Sequence, residues 1–332
     1  MTAPQKLPIG VLLPTRDSMK LLPAHWETMR PWLPLVEEIV VVDSDSQDGT
    51  VEFLREKLAG QPVRFFQRPP GIYECWNFGL QQLRSRYAYV STVGDGITPE
   101  GLTAHVQTAE RLAADVVVSP PEFVDANGAA GGRNDWPVHR LVRHLGLTQP
   151  AAYDGLLPFV FAMAYFPFAI LGSSASNLYR TSVLQQKPFP TDFGWNGDGA
   201  WGLLHALNLR LVLSPARVSF FRRHARNFPR ETYYVTNAED RLCTETLAAF
   251  EQTVAASPAL QAQVQRFHLD RFLRRVVAVH LLRSELRRLR KRWWWFWVLL
   301  PRAWRVRRER NSGRRECEQQ LIALARELSG PT

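Results

Sequence analysis

The stretch that most limits what this chain can fold into is residues 39–50, IVVVDSDSQDGT, where β-branched apolar residues run unbroken into an acid and then into a polar turn. A strand apolar on both faces belongs in a parallel sheet covered by helices. Ligands of such sheets sit at the carboxyl ends of strands, so Asp43 is delivered to a sheet edge with Ser44, Asp45 and Ser46 close behind. Asp48 or Thr50 then caps a helix that carries Val51, Leu54 and Leu58 on one face.

The same alternation recurs along the first 120 residues and predicts a parallel α/β sheet. Residues 9–13 form a strand ending in Pro14, Thr15, Arg16 and Asp17, and residues 63–66 form another, closed by Arg68, Pro69, Pro70 and Gly71. Over residues 72–87, Ile72, Trp76, Leu80 and Leu83 recur at helical spacing, leaving Asn77, Tyr73 and Arg84 on a polar edge. The next strand, 87–93, ends in Gly94-Asp95-Gly96. An acid between two residues without a Cβ lets the backbone approach a large ligand. One carboxylate suits magnesium, whose other ligands can be diphosphate oxygens and water.

Residues 120–172 read as an irregular insertion containing the proline-broken aromatic run LLPFVFAMAYFPFAIL, either a lid over an acceptor or a membrane-facing patch. Asp198 then opens an apolar helix in FGWNGDGAWGLLHAL, and a strand at 217–221 runs into Arg222, Arg223 and His224. Each acid alone has a bland explanation: a turn for Asp43, a tight turn for Asp95, a helix cap for Asp198. Their order is what points to chemistry.

Net charge is +10, but residues 265–315 hold about seventeen Arg and Lys against about three acids, so the rest of the chain is slightly acidic. The basicity belongs to a helical tail from about residue 239, whose RRLRKRWWWFWVLLPRAWRVRRER sets tryptophans among arginines. Trp beside Arg suits a lipid headgroup boundary, and eight consecutive apolar residues are too few to cross a bilayer. Cys75, Cys243 and Cys317 show neither metal-ligand spacing nor an even set, which fits a reducing, cytoplasmic setting. The first apolar stretch runs into Pro14 and Arg16, so no leader is expected.

The ordered series PTRD, VVVDSDSQDGT, RPPGIYECWNFG, VGDGITPEGL, GDGAWGLLHALN and FFRRH resembles the family-2 inverting glycosyltransferases of GT-A fold, over roughly residues 9–227. GIYECWNFG together with Gly-Asp before a proline is similar to the subgroup that builds bacterial surface polysaccharides. The resemblance implies a nucleotide-sugar-binding α/β domain, expected over residues 1–235, while the charge asymmetry and the Trp-Arg cluster point to a basic helical region, membrane-associated, over 236–332. It implies that Pro14, Thr15 and Arg16 line the base pocket, that Asp43 accepts from the base and that Asp45 is near the ribose. Arg68, Asn77, Gly94 and Arg223 would face the diphosphate or sugar, Asp95 and His224 a Mg2+ or Mn2+, and Asp198 would be the general base.

Two departures stand out: Gly94 where the family has an acid, and Gly197 where it has Glu beside the base. The nearest match to the Q-x-x-R-W of processive synthases is QVQRF, 263–267, without spanning helices, so transfer of one sugar at a time is expected. The expected partners are a UDP-, GDP- or dTDP-linked sugar, a glycan or lipid-linked acceptor, and an anionic membrane surface on the inner face of the cell membrane. Nucleic acid is not expected as the main partner. The rival reading is a non-catalytic GT-A-like protein that recruits polysaccharide machinery or RNA.

Overall fold

The computed structural model describes residues 6–126, 128–131, 135–166, 170–222, 238–291 and 296–329. Its first half is strand–helix alternation: β1 (Leu7–Thr15), α1 (Leu22–Met29), β2 (Val36–Asp43), α2 (Thr50–Lys57), β3 (Val63–Gln67), α3 (Ile72–Gln82), β4 (Tyr87–Val90), β5 (Gly96–Ile97), α4 (Pro99–Arg111) and β6 (Val116–Val118). There follow β7 (Glu122–Val124), α5 (Pro137–His144), β8 (Ala151–Tyr153), α6 (Leu156–Ala164), β9 (Asn177–Arg180), α7 (Thr181–Gln186), α8 (Gly197–Leu204), β10 (Leu211–Leu213) and β11 (Ser219–Arg222). Four helices end the chain: α9 (Ala238–Ala255), α10 (Pro258–Arg266), α11 (Leu269–Lys291) and α12 (Phe296–Ser329).

Eight strands form one sheet in the order β3-β2-β1-β4-β9-β6-β10-β8, and β5-β11-β7 form a second, small one. β1, β2, β3 and β4 are parallel, so their carboxyl ends share an edge. β9 runs antiparallel between β4 and β6, and β8 antiparallel to β10, so the sheet is mixed rather than purely parallel.

Period-two alternation explains why the strands are apolar throughout. On β2, Val40 and Val42 face one side with α3 and α6, while Ile39 and Val41 face the other with α1, α2 and α4. Pro at the first position and the Thr98 hydroxyl, which accepts from the Gly101 N–H at 3.0 Å, start α4 at the turn after Asp95.

Residues 120–172, expected to be irregular, contain β7, α5, β8 and α6. Helix α6 is neither an exposed lid nor a membrane-facing patch, because residues 156–163 are all buried. A helix apolar all round must be covered on every side, and here the cover comes from far along the chain. The Phe159 ring stacks on Phe250 of α9 at 4.5 Å, and Phe166, just past the helix, meets the His280 ring of α11 edge-on at 4.7 Å. The same core cluster continues through Leu269, Phe272, Leu321 and Ala325, so the terminal helices share the core of the sheet. The domain boundary expected near residue 235 lies outside the described residues. No helix among the described residues is long and apolar enough to cross a membrane.

Candidate active site

Three strand ends build the first part of the site. The Asp43 carboxylate, at the end of β2 and 2% exposed, accepts from the Thr15 hydroxyl at the end of β1 at 2.8 Å. It also accepts from the Ser46 hydroxyl at 2.6 Å and the Ser46 N–H at 2.8 Å. These bonds bend the chain after β2 into a tight loop, which the Asp17 N–H grips by donating to the Ser46 hydroxyl at 2.8 Å. Asp45 is exposed with a φ of 55°, a conformation that short polar side chains tolerate. Its carboxylate accepts from the Gln67 amide at 3.1 Å. Arg16 and Arg68 are exposed at this edge, Pro14 is half-buried, and the Arg68 guanidinium lies 4.8 Å over the Phe78 ring.

Asp48 accepts from the Thr50 N–H at 3.1 Å, the Thr50 hydroxyl at 2.6 Å and the Met19 N–H at 2.9 Å. Neither expected residue is the cap of α2: the residue before the helix is Gly49, at a φ of 87°, with no side-chain capping bond, and Thr50 is already inside the helix. Asp48, one position earlier, satisfies the Thr50 N–H and fastens the β1–α1 loop to the helix start. The serine that follows Asp43 ties this edge to α3: the Ser44 hydroxyl lies 3.1 Å from the buried Cys75 sulfur in the first turn of that helix.

Asp95 follows β4 and is 5% exposed. One carboxylate oxygen accepts from the Thr92 hydroxyl at 3.1 Å and the Ser173 hydroxyl at 3.0 Å, and the other from the Arg222 N–H at 3.1 Å. Burial pushes its pKa up to about 7, against the opposing pull of Arg222, Ser173 and Thr92. The Arg222 guanidinium is pinned by the carbonyls of Gly94 at 3.2 Å and Ala126 at 2.9 Å. Gly94 has a φ of 104°, which L side chains rarely adopt, so the residue standing where the family has an acid answers to a backbone requirement.

Asp198 sits in the first turn of α8. It accepts from the Gly199 N–H at 2.7 Å and from the Tyr73 hydroxyl, and burial raises its pKa against both. Tyr73, in the first turn of α3, is 4% exposed and wedged between Trp76 and Phe189 at ring distances of 5.3 and 5.7 Å. Gly197 is what lets it reach: a Cβ there would lie 2.4 Å from the Tyr73 ring. The second departure from the family pattern is therefore the space the tyrosine fills.

The topology brings Asp43, Asp95 and Asp198 to the same edge of the sheet, Asp198 by way of Tyr73, since α3 begins where β3 ends. Asn77 is a correction. Its amide donates to the Phe189 carbonyl at 2.7 Å and its carbonyl accepts from the Phe189 N–H at 2.8 Å, so it bolts α3 to the segment after α7 instead of facing a ligand. A two-point match to backbone leaves this side chain little capacity for anything else. Tyr73, read with it as part of a solvated edge, is buried. Arg223 and His224 lie outside the described residues.

Thr92, Ser173 and Tyr73 are the supporting residues that sequence reasoning missed. Thr92 had a local signal, a hydroxyl three residues before an acid at a turn; Ser173 and Tyr73 act across 78 and 125 positions and had none.

Residues 11–172 match the glycosyl transferase family 2 profile. Among solved structures, S. aureus TarS 1–349 in complex with UDP-GlcNAc superposes with a TM-score of 0.54 at 16% identity, over 73% of this chain and 66% of that one, just under two thirds of its length. TarS 1–349 gives 0.52 at 15% identity over 94% and 90%, and its complex with UDP gives 0.51 at 18% over 94% and 90%. The shared feature at these identities is the GT-A fold. No curated protein sequence matches the chain.

Proposed function

We propose, from the match of residues 11–172 to the glycosyl transferase family 2 profile, that the chain is a member of that family and moves a single sugar, with inversion, from a nucleoside-diphosphate sugar to a hydroxyl of a lipid-linked glycan acceptor in polysaccharide or glycoconjugate synthesis. The observation that carries this reading is the convergence of three buried or half-buried carboxylates, each in a different hydrogen-bonded setting, on the ligand edge of one sheet.

The settings suit different tasks. Asp43, ringed by hydroxyl and amide donors, is built into the nucleotide pocket and meets the base with its remaining lone pairs, while Pro14, Thr15 and Arg16 wall that pocket and Asp45 lies towards the ribose. Arg68 faces the diphosphate. Asp198 is the base: its carboxylate is oriented by Gly199 and Tyr73, and a raised pKa brings it nearer the acceptor hydroxyl whose proton it takes.

Among the described residues no three His, Cys, Asp or Glu side chains gather into a metal cluster. Asp95 fits a single ligand bond, because one carboxylate oxygen already accepts twice and the other only once. A Mg2+ or Mn2+ held there, completed by diphosphate oxygens and water, would offset charge on the leaving nucleoside diphosphate. The fixed Arg222 guanidinium adds positive charge beside the same carboxylate. We further place the enzyme on the inner face of the cell membrane, held by its basic terminal helices against anionic lipid.

A panel of UDP-, GDP- and dTDP-sugars, assayed for transfer and hydrolysis, identifies the donor. The UDP complexes of the TarS fold relative put UDP-sugars first. With that donor, Asp198→Asn should lower turnover about 100- to 10,000-fold while calorimetric nucleotide binding survives. Retained turnover would remove the base assignment.

A further inference from the structure

Helices α11 and α12 lie side by side, joined by ion pairs of Arg275 with Glu316 and Arg302 with Glu285, both at 2.7 Å. Between these pairs the hairpin opens a cleft of about 1480 Å³. Its lining follows helical spacing: Ala278, Leu281, Leu282 and Glu285 on one helix, Leu300, Trp304, Arg308 and Ser312 on the other. The three large apolar side chains that stand well out of the protein among the described residues all meet here, Leu281 at 50% exposure, Leu300 at 42% and Trp304 at 64%. Scattered single apolar residues need no explanation, but three converging on one groove do.

The cleft is lined by Arg275, Arg305 and Arg308 against Glu285 and Glu309, a net positive charge. Arg305 and Arg308 border the cleft, and among the described residues neither has an acidic partner; Arg308 lies 5.8 Å over the Trp304 ring. The acid Glu285 is neutralised by Arg302, which leaves Glu309 against the two arginines. Around them, residues 265–315 hold an excess of about fourteen positive charges. An apolar floor with an arginine rim matches an amphiphile that has a hydrocarbon chain and an anionic head.

We propose that this cleft seats an acyl chain of an anionic phospholipid, its phosphate met by Arg305 and Arg308 and its chain lying along Leu281, Leu300 and Trp304. This deepens and rests on the membrane-docking part of the function proposed above: the terminal helices do not merely lie on charge, they extract part of one lipid from the leaflet. A lipid held there fixes the height and orientation of the sheet edge above the membrane, where a lipid-linked acceptor presents its hydroxyl.

The test is co-sedimentation of the full chain with vesicles of equal parts phosphatidylglycerol and phosphatidylcholine, and with phosphatidylcholine alone. The parent should bind the anionic vesicles. Leu281→Ser combined with Leu300→Ser should weaken that binding about tenfold, and Arg305→Gln combined with Arg308→Gln should erase the preference for phosphatidylglycerol. All four positions are exposed, and unchanged circular dichroism together with unchanged nucleotide binding establishes that the variants fold. If the parent binds and the leucine variant binds equally well, the cleft has no part in docking and the inference falls while the docking reading stands. If the parent ignores anionic vesicles, both fall, and an acidic partner helix becomes the occupant to seek. Release of the bound protein by excess soluble glycerol phosphate would show a site for free phosphate and overturn the acyl-chain assignment.

Discussion

Asp198 takes a hydrogen bond from Tyr73 across 125 positions of sequence, and that bond gives the proposed base its own test. The hydroxyl favours the charged carboxylate while burial disfavours it. Tyr73→Phe keeps the ring that packs on Trp76 and Phe189 but removes the donor, so the carboxyl should bind its proton more tightly. The acid limb of the kcat profile should move to higher pH and kcat should fall about tenfold, with KM for the donor unchanged. A tyrosine that is only core would leave the profile where it was. The acids themselves were legible at this scale, because each ends an apolar run or opens an apolar helix. Tyr73 and Asn77 were not, because a helical wheel assigns polar side chains to solvent and cannot see Asp198 or the Phe189 backbone arriving from elsewhere.

Between Asp43 and Asp48 the chain passes from a strand end to a helix start, and the two acids should divide along that line. Asp48 satisfies the N–H groups of Thr50 and Met19, so Asp48→Ala should lose about 1 kcal/mol of stability with donor affinity intact. Asp43→Ala removes the carboxylate that holds Thr15 and Ser46 in the pocket wall, and donor affinity should fall at least roughly tenfold. Denaturant titration beside calorimetric donor binding separates the two; equal losses of donor affinity would show the division to be wrong. The parallel strands β1 to β4 and their helices could be read from apolar runs and punctuation alone. Helix α6 could not, since its burial depends on Phe250 of α9 and on α11 and α12, still further along the chain, and β9 could not, since its antiparallel insertion between β4 and β6 is set by tertiary pairing rather than by local pattern.

Across the whole molecule the buried titratable groups pull stability in opposite directions with pH. His25, His105 and His205 have pKa values lowered by burial to about 4, and burial lowers His139 and His280 as well. Each is held neutral in the fold, so its contribution is present above the ordinary histidine value of 6.5 and is lost as pH falls below it, towards about 4 for His25, His105 and His205. Asp95 has the reverse sign: with a folded pKa near 7, its contribution is complete below the ordinary carboxylate value of 3.8 and is lost as pH rises through about 7; Asp198, also raised, acts in the same sense. Between about 7 and 6.5 Asp95 acts nearly alone and stability should rise slightly on acidification. Below 6.5 the histidines outnumber the two acids. His25 and His105, 2% and 1% exposed, each contribute a loss of about 1.4 kcal/mol per pH unit, and Asp95 returns that amount once. The melting temperature should therefore peak just on the acid side of neutrality and fall steadily towards pH 4. His105→Gln, which keeps a polar side chain near the Ser176 carbonyl and Ser119, should flatten the acid slope. A melting temperature that kept rising down to pH 4 would mean that the acids, not the histidines, dominate the interior of this protein.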